Sequence, residues 1–118
     1  MLKVHAKKLE TVAVLGLDGR IINGETEILR NAVRAVSGAT GIILDLKCVT
    51  TVDAHGLGVL LDLRQQAIAS GMRFKLMNIS QPLSRVFEIT KLNSVFEITS
   101  IVEPLPAFTL QPCNQVAA

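Results

Sequence analysis

Tryptophan and tyrosine are absent from this 118-residue chain, and phenylalanine, in four copies, is its only aromatic residue. A stacking platform for single-stranded nucleic acid needs a row of rings, so no direct nucleic-acid partner is expected. No apolar run approaches the roughly 20 residues of a membrane span. The first ten residues alternate and carry charge, unlike a secretory leader, and a cytoplasmic chain without membrane insertion is expected. Cysteine is scarce. Cys48 and Cys113 stand far apart without metal-ligand spacing, and in the absence of a leader they are expected to be a reduced pair. The phosphate-cradling loop is missing, since Gly56 and Gly58 lack both the longer pattern and its lysine. A G-x-S-x-G nucleophile elbow is missing too, and His5 and His55 share no ligand spacing. Asp45 and Asp62 read as a strand-end and a helix-surface residue. The expectation is a non-enzymatic chain with no catalytic residue, no metal and no cofactor.

What is present is aliphatic. Hydrophobic residues make up 49% of the chain and charged residues 19%, with a net charge of +2. That is enough apolar material for one core of Leu, Ile, Val and Ala, and the length is that of a single domain. Lys3, Lys7 and Lys8 form the one local basic cluster. It reads as a strand edge kept from aggregating by lysine, because an electrostatic footprint needs a larger patch.

The periodicities alternate along the chain. Leu2, Val4 and Ala6 interleave with Lys3, His5 and Lys7 at the period of a half-buried strand. Residues 11–18 supply a second strand, with Asp18-Gly19 as a turn. Ile28, Leu29, Ala32, Val33 and Val36 share one helical face, Glu27 and Arg30 form a favourable pair, and Gly38 is the expected cap. Residues 41–46 are a continuous apolar run suited to a central strand covered on both faces, followed by a loop over 48–52. A second helix carries Leu57, Leu60, Leu61, Arg64 and Ile68 and stops at Gly71. Residues 72–77 alternate as a strand. Ser80 with Pro82 then opens a helix whose stripe is Leu83, Val86, Phe87 and Ile89, and 95–99 read as the last strand. Pro104, Pro106 and Pro112 mark residues 103–118 as a tail, either a docked extended arm or a disordered end. Strands separated by helices run parallel with right-handed crossovers. The expected fold is therefore α/β: a single small domain with a mixed, mostly parallel sheet and helices packed on it.

One segment concentrates possibilities: Thr50, Thr51, Val52, Asp53, Ala54, His55, Gly56 and Leu57, with Gly58 beyond. It follows the buried strand and opens a helix, the place where open α/β sheets receive ligands and partners. Asp53 suits the N-cap, where its carboxylate accepts a backbone N–H and complements the helix dipole. The glycines permit close approach of a neighbouring backbone.

Three blocks together resemble the STAS domain, shared by anti-sigma-factor antagonists and the tails of sulfate transporters. They are Ile42-Ile43-Leu44-Asp45-Leu46, the helix start Val52-Asp53-x-x-Gly56-Leu57-Gly58, and Ser84-Arg85-Val86-Phe87-Glu88-Ile89-Thr90-Lys91-Leu92. With the weaker N-terminal half, the resemblance covers residues 2–102. It implies a STAS-like domain over 2–102 and a protein-binding role. Antagonists of this family bind an anti-sigma factor that is also a serine kinase. The kinase phosphorylates the serine after the motif aspartate, and the complex then breaks. Here that position is Ala54, which has no hydroxyl, so the family's switch is expected to be lost at this site. His55 follows, where the family has a serine or another small residue, and it is expected to be a contact residue. Thr50 and Thr51 read as ordinary residues before a helix. The implied function is an antagonist of an anti-sigma factor/serine kinase whose binding surface is Thr50–Leu57. The alternative is a free-standing STAS subunit of a lipid-transport ABC system, with the transporter ATPase as partner.

Overall fold

The computed structural model describes residues 2–99. Strand β1 (Lys3–Leu9) pairs antiparallel with β2 (Val12–Ile21), and β3 (Gly41–Val52), β4 (Arg73–Met77) and β5 (Glu97–Thr99) follow in parallel, giving a sheet of order β1-β2-β3-β4-β5. Helix α1 (Glu27–Arg34) links β2 to β3, α2 (Ala54–Ala69) links β3 to β4, and α3 (Gln81–Ile89) with a 3-10 turn at Leu92–Ser94 links β4 to β5. The fold is a small α/β domain with a mixed, mostly parallel sheet, as the alternation of periods requires.

Register decides where the core lies. Ala13, Ile42 and Phe74 stand side by side on neighbouring strands, and so do Leu15, Leu44 and Leu76. Register partners share a face of the sheet. Leu29 and Val33 of α1, Leu57, Leu60 and Leu63 of α2, and Leu83 and Phe87 of α3 join Leu15, Ile42, Leu44, Phe74 and Leu76 in one buried cluster. Phe96 completes it, its ring centroid 6.2 Å from that of Phe74 and 5.7 Å from that of Phe87. The described helices thus pack on one face. Ile43, pointing to the other, is only partly buried, so helices do not cover β3 on both faces.

Asp18-Gly19 is not a turn, and 48–52 are not a loop; the two corrections have one cause. Strand β2 continues to Ile21 through pairing irregularities at Gly16/Asp18 and Gly19/Arg20, with Gly19 at φ 126°. An Asp-Gly pair serves a bulge as readily as a hairpin, because both call on a conformation that glycine adopts freely. The extended β2 gives residues 48–52 a partner: Cys48 lies opposite Asp18, Thr51 opposite Arg20 and Val52 opposite Ile21. Helix α1 ends at Arg34, so Gly38 (φ 70°) lies beyond its cap and Val36 packs on the core from outside the helix. Arg30 pairs with Asp62 of α2 rather than with Glu27.

Three of the apolar stripes need correction. Ile28, Ile68 and Ile89 are 45%, 48% and 79% exposed. The inward face of α2 is instead Gly56, Leu57, Val59, Leu60, Leu63 and Ala67. The last strand starts at Glu97 because the backbone N–H groups of Val95 and Phe96 both turn back to the Leu92 carbonyl. Cys48 is disulfide-bonded, not reduced. Cys113 and the tail at 103–118 lie outside the described residues.

Candidate functional site

Strands β2 and β3 end together at the register pair Ile21 and Val52, and each then feeds a helix. The backbone N–H of Asp53 donates to the Ile21 carbonyl at 3.3 Å, so the N-terminus of α2 is set against the end of β2. Asp53 caps α2: its Oδ1 accepts the N–H of Gly56 at 2.8 Å. Its Oδ2 accepts the N–H of Asn23 at 3.1 Å. One carboxylate therefore joins the β2–α1 loop to the first turn of α2.

These bonds act on the charge. The N–H of Asn23 and then that of Gly56 hold the Asp53 carboxyl below its ordinary 3.8, and His55 adds a smaller favourable interaction, while partial burial opposes the shift. Hydrogen bonds made to the ionised form favour it.

Gly56 is buried, and a Cβ there would collide with the carbonyl oxygen and carbon of Ile21. The motif glycine is thus a packing requirement, the close approach expected from the sequence. Gly58 differs: it is exposed, and a Cβ built on it meets nothing within 4 Å.

The other segment residues divide by direction. Val52 and Leu57 are buried and support the turn from inside. Thr50, Thr51, Ala54 and His55 are exposed, and Asp53 is half-buried. The hydroxyl of Thr50 donates to the Gly19 carbonyl at 3.2 Å, which occupies it in holding the bulged part of β2. His55 Nε2 lies 3.5 Å from Oγ1 of Thr26, a residue only 6% exposed. The threonine hydroxyl is too enclosed to meet a substrate, and the contact orients the imidazole over the first turn of α1.

Asn23 and Thr26 were not legible in the sequence. They lie about 30 residues before Asp53 and His55, and the Asn23-Gly24 pair signals only a loop. Arg20 and Glu25 close the same loop with an ion pair of 3.1 Å. The surface produced is an exposed turn of Ala54 and His55, with Thr51 and Gly58 exposed near it in the chain and Asp53 fastening it. It offers contact groups of mixed chemistry.

The STAS domain family matches residues 3–104. The chain belongs to the STAS domain family. Among solved structures, an anti-sigma factor antagonist from Mycobacterium paratuberculosis superposes with a TM-score of 0.74 at 19% identity, over 87% of this chain and 89% of that one. The unphosphorylated anti-sigma factor antagonist SpoIIAA gives 0.67 at 18% identity, over 92% and 97%; the phosphorylated form of this Bacillus protein has also been solved. A sulfate transporter family protein from Wolinella succinogenes gives 0.69 at 16% identity, over 79% and 80%. At these identities the likeness is one of fold. Among the described residues of this STAS domain, no helix is long and apolar enough to cross a membrane.

Proposed function

We propose that this STAS domain is an anti-sigma-factor antagonist that binds an anti-sigma factor of the serine-kinase type through Thr50–Leu57 and lacks the usual phosphoacceptor. The observation that carries the reading is the exposed Ala54–His55 turn, fastened by Asp53 to two elements at once. A turn held in this way is pre-organised, which lowers the ordering cost of association. The exposed groups Thr51, Ala54, His55 and Gly58 are the contact surface, while Val52, Gly56 and Leu57 hold it in place. Ala54 keeps the size of a small motif residue and removes the hydroxyl. Binding therefore persists in the presence of ATP, where a serine-bearing antagonist would be modified and released.

Gly58 offers a clean test, because side-chain atoms there enter open space. Gly58→Glu adds a charge and a stem to the proposed surface without touching the core. An affinity experiment with the full chain and the anti-sigma kinases of its own genome should show capture by the wild type and loss with Gly58→Glu, at unchanged circular dichroism. Capture of a transporter ATPase with no kinase would replace this reading with the lipid-transport alternative. Equal capture of a kinase by both forms would move the interface elsewhere.

A further inference from the structure

Asparagine is a chemically labile residue, and its lability depends on the backbone nitrogen that follows it. Among the described residues, Asn23 is the one asparagine that precedes glycine. Asn78 donates its amide to Asp45 at 3.0 Å, Asn31 accepts from Arg34 within α1, and Asn93 lies in the 3-10 turn before Ser94. Asn23 and Gly24 are both exposed, in a turn that the Glu25 N–H closes onto the Ile22 carbonyl at 3.0 Å. Neither the Asn23 side chain nor the Gly24 N–H has a hydrogen-bond partner among the described residues. A Cβ built on Gly24 meets nothing within 4 Å, so the space beside its nitrogen is open as well. The Asn23 N–H, by contrast, is committed: it donates to Oδ2 of Asp53 at 3.1 Å.

We propose that Asn23 is a self-modifying site, converting through a succinimide to isoaspartate and aspartate, and that the conversion loosens the Asp53 clamp on the Ala54–His55 turn. Its consequence for partner binding rests on the antagonist reading; the modification itself does not. The Gly24 nitrogen gives up its proton and bonds to Cγ of Asn23. The bond from Cγ to the side-chain nitrogen breaks, and ammonia leaves with that proton. Because the following residue has no Cβ, nothing crowds the nitrogen as the five-membered ring closes. Water then opens the ring. Attack at Cγ yields aspartate, which adds a charge to an unchanged backbone. Attack at the main-chain carbonyl yields isoaspartate: the chain then runs through Cβ and Cγ, one backbone atom longer, and the former carbonyl carbon becomes a free carboxylate. Both products put a negative charge on the residue whose N–H Asp53 accepts, and a neighbouring like charge disfavours an ionised carboxylate. Isoaspartate also lengthens the turn that fixes this N–H, so the cap of α2 loses its tie to the β2–α1 loop.

The test incubates the full chain at mildly alkaline pH, where the attacking nitrogen loses its proton more readily, and then digests it with trypsin. Cleavage after Arg20 and Arg30 isolates residues 21–30, in which Asn23 is the one asparagine. Mass spectrometry should show the side-chain NH2 replaced by OH in that peptide, with electron-transfer fragmentation revealing isoaspartate, while Asn31, Asn78 and Asn93 stay intact. The urea midpoint should fall in proportion to the isoaspartate fraction. The Asn23→Gln chain, whose longer side chain closes a ring far more slowly, should keep its starting midpoint throughout. An intact 21–30 peptide in the folded chain, under conditions that convert the urea-unfolded chain, overturns the proposal. So does conversion without a change in midpoint, which would detach residue 23 from the clamp, or an equal decline in Asn23→Gln. All of these readouts use the chain alone, so a failure to capture a kinase leaves them standing and bears only on the antagonist reading.

Discussion

Gly56 and Gly58 stand two residues apart in α2, and alanine should act on them in opposite directions. At Gly56 the added methyl meets the backbone carbonyl of Ile21, which already accepts the Asp53 N–H. A carbonyl fixed in a sheet cannot rotate aside like a flexible side chain. Relief requires α2 to withdraw from β2. Overpacking of this kind costs about 3 kcal/mol at the upper end of its usual range, offset by about 1 kcal/mol of helix propensity gained on losing a glycine. The net loss is about 2 kcal/mol. At Gly58 only the propensity acts, since the new methyl meets nothing, and Gly58→Ala should gain about 0.8 kcal/mol. The two variants therefore differ by about 3 kcal/mol. With a urea m-value of about 1.5 kcal/mol/M, their midpoints separate by about 2 M, the wild type lying between them. Coincident midpoints at equal m would refute the reasoning, because they would mean that the start of α2 does not rest on the end of β2.

Three further outcomes follow from the same geometry. Asp53→Ala should lower the urea midpoint near neutral pH. Because folding depresses the Asp53 pKa, its contribution is present above the ordinary value of 3.8 and fades as pH falls through the folded value below it; the difference between wild type and Asp53→Ala should thus be constant at pH 5–7 and shrink in acid, and a gap unchanged down to about pH 2 would contradict the cause assigned to the shift. On the proposed reading, Ala54→Ser should supply a phosphoacceptor: with an anti-sigma kinase of the same genome and ATP, mass spectrometry should detect one phosphoryl group transferred to Ser Oγ, ADP leaving, while the wild type stays unmodified at residue 54. The Arg30–Asp62 pair, 3.2 Å long with Asp62 more than half exposed, should give a coupling of about 0.5 kcal/mol in a double-mutant cycle, diminishing in salt.

The sequence carries the order of elements because each has its own period, and it carries the Asp53 cap because that interaction is local: donor and acceptor are three residues apart. It misses what depends on distant pairing. Residues 48–52 carry strand-favouring Val and Thr but break the alternation at Thr50-Thr51, and they find a strand partner because β2 runs three residues past Asp18 to meet them. Asn23 donates across thirty residues, and no spacing rule connects it to Asp53. The exposed Ile68 and Ile89 fail for a different reason. Helical spacing identifies a candidate stripe, but where that stripe points depends on how the helix is rotated on the sheet. For α2 the rotation is set by Gly56 against Ile21, a contact between a missing side chain and a backbone.

On the proposed reading, Ala54 matters through its place in α2. It is the first residue after the cap, where unpaired N–H groups and the helix dipole favour negative charge. A phosphate at that position, in a family member bearing serine, would thus be tolerated by its own helix. It would nevertheless add roughly −1.5 to −2 charges beside the carboxylate of the motif aspartate. The penalty then falls on the partner's surface rather than on the fold, which is how one modification can release a complex without unfolding the antagonist. With Ala54, the local charge is that of Asp53, whose carboxyl is held below its ordinary pKa by the two backbone N–H groups it accepts. Nothing at residue 54 can alter it. On the proposed reading, control of binding therefore acts elsewhere than at residue 54.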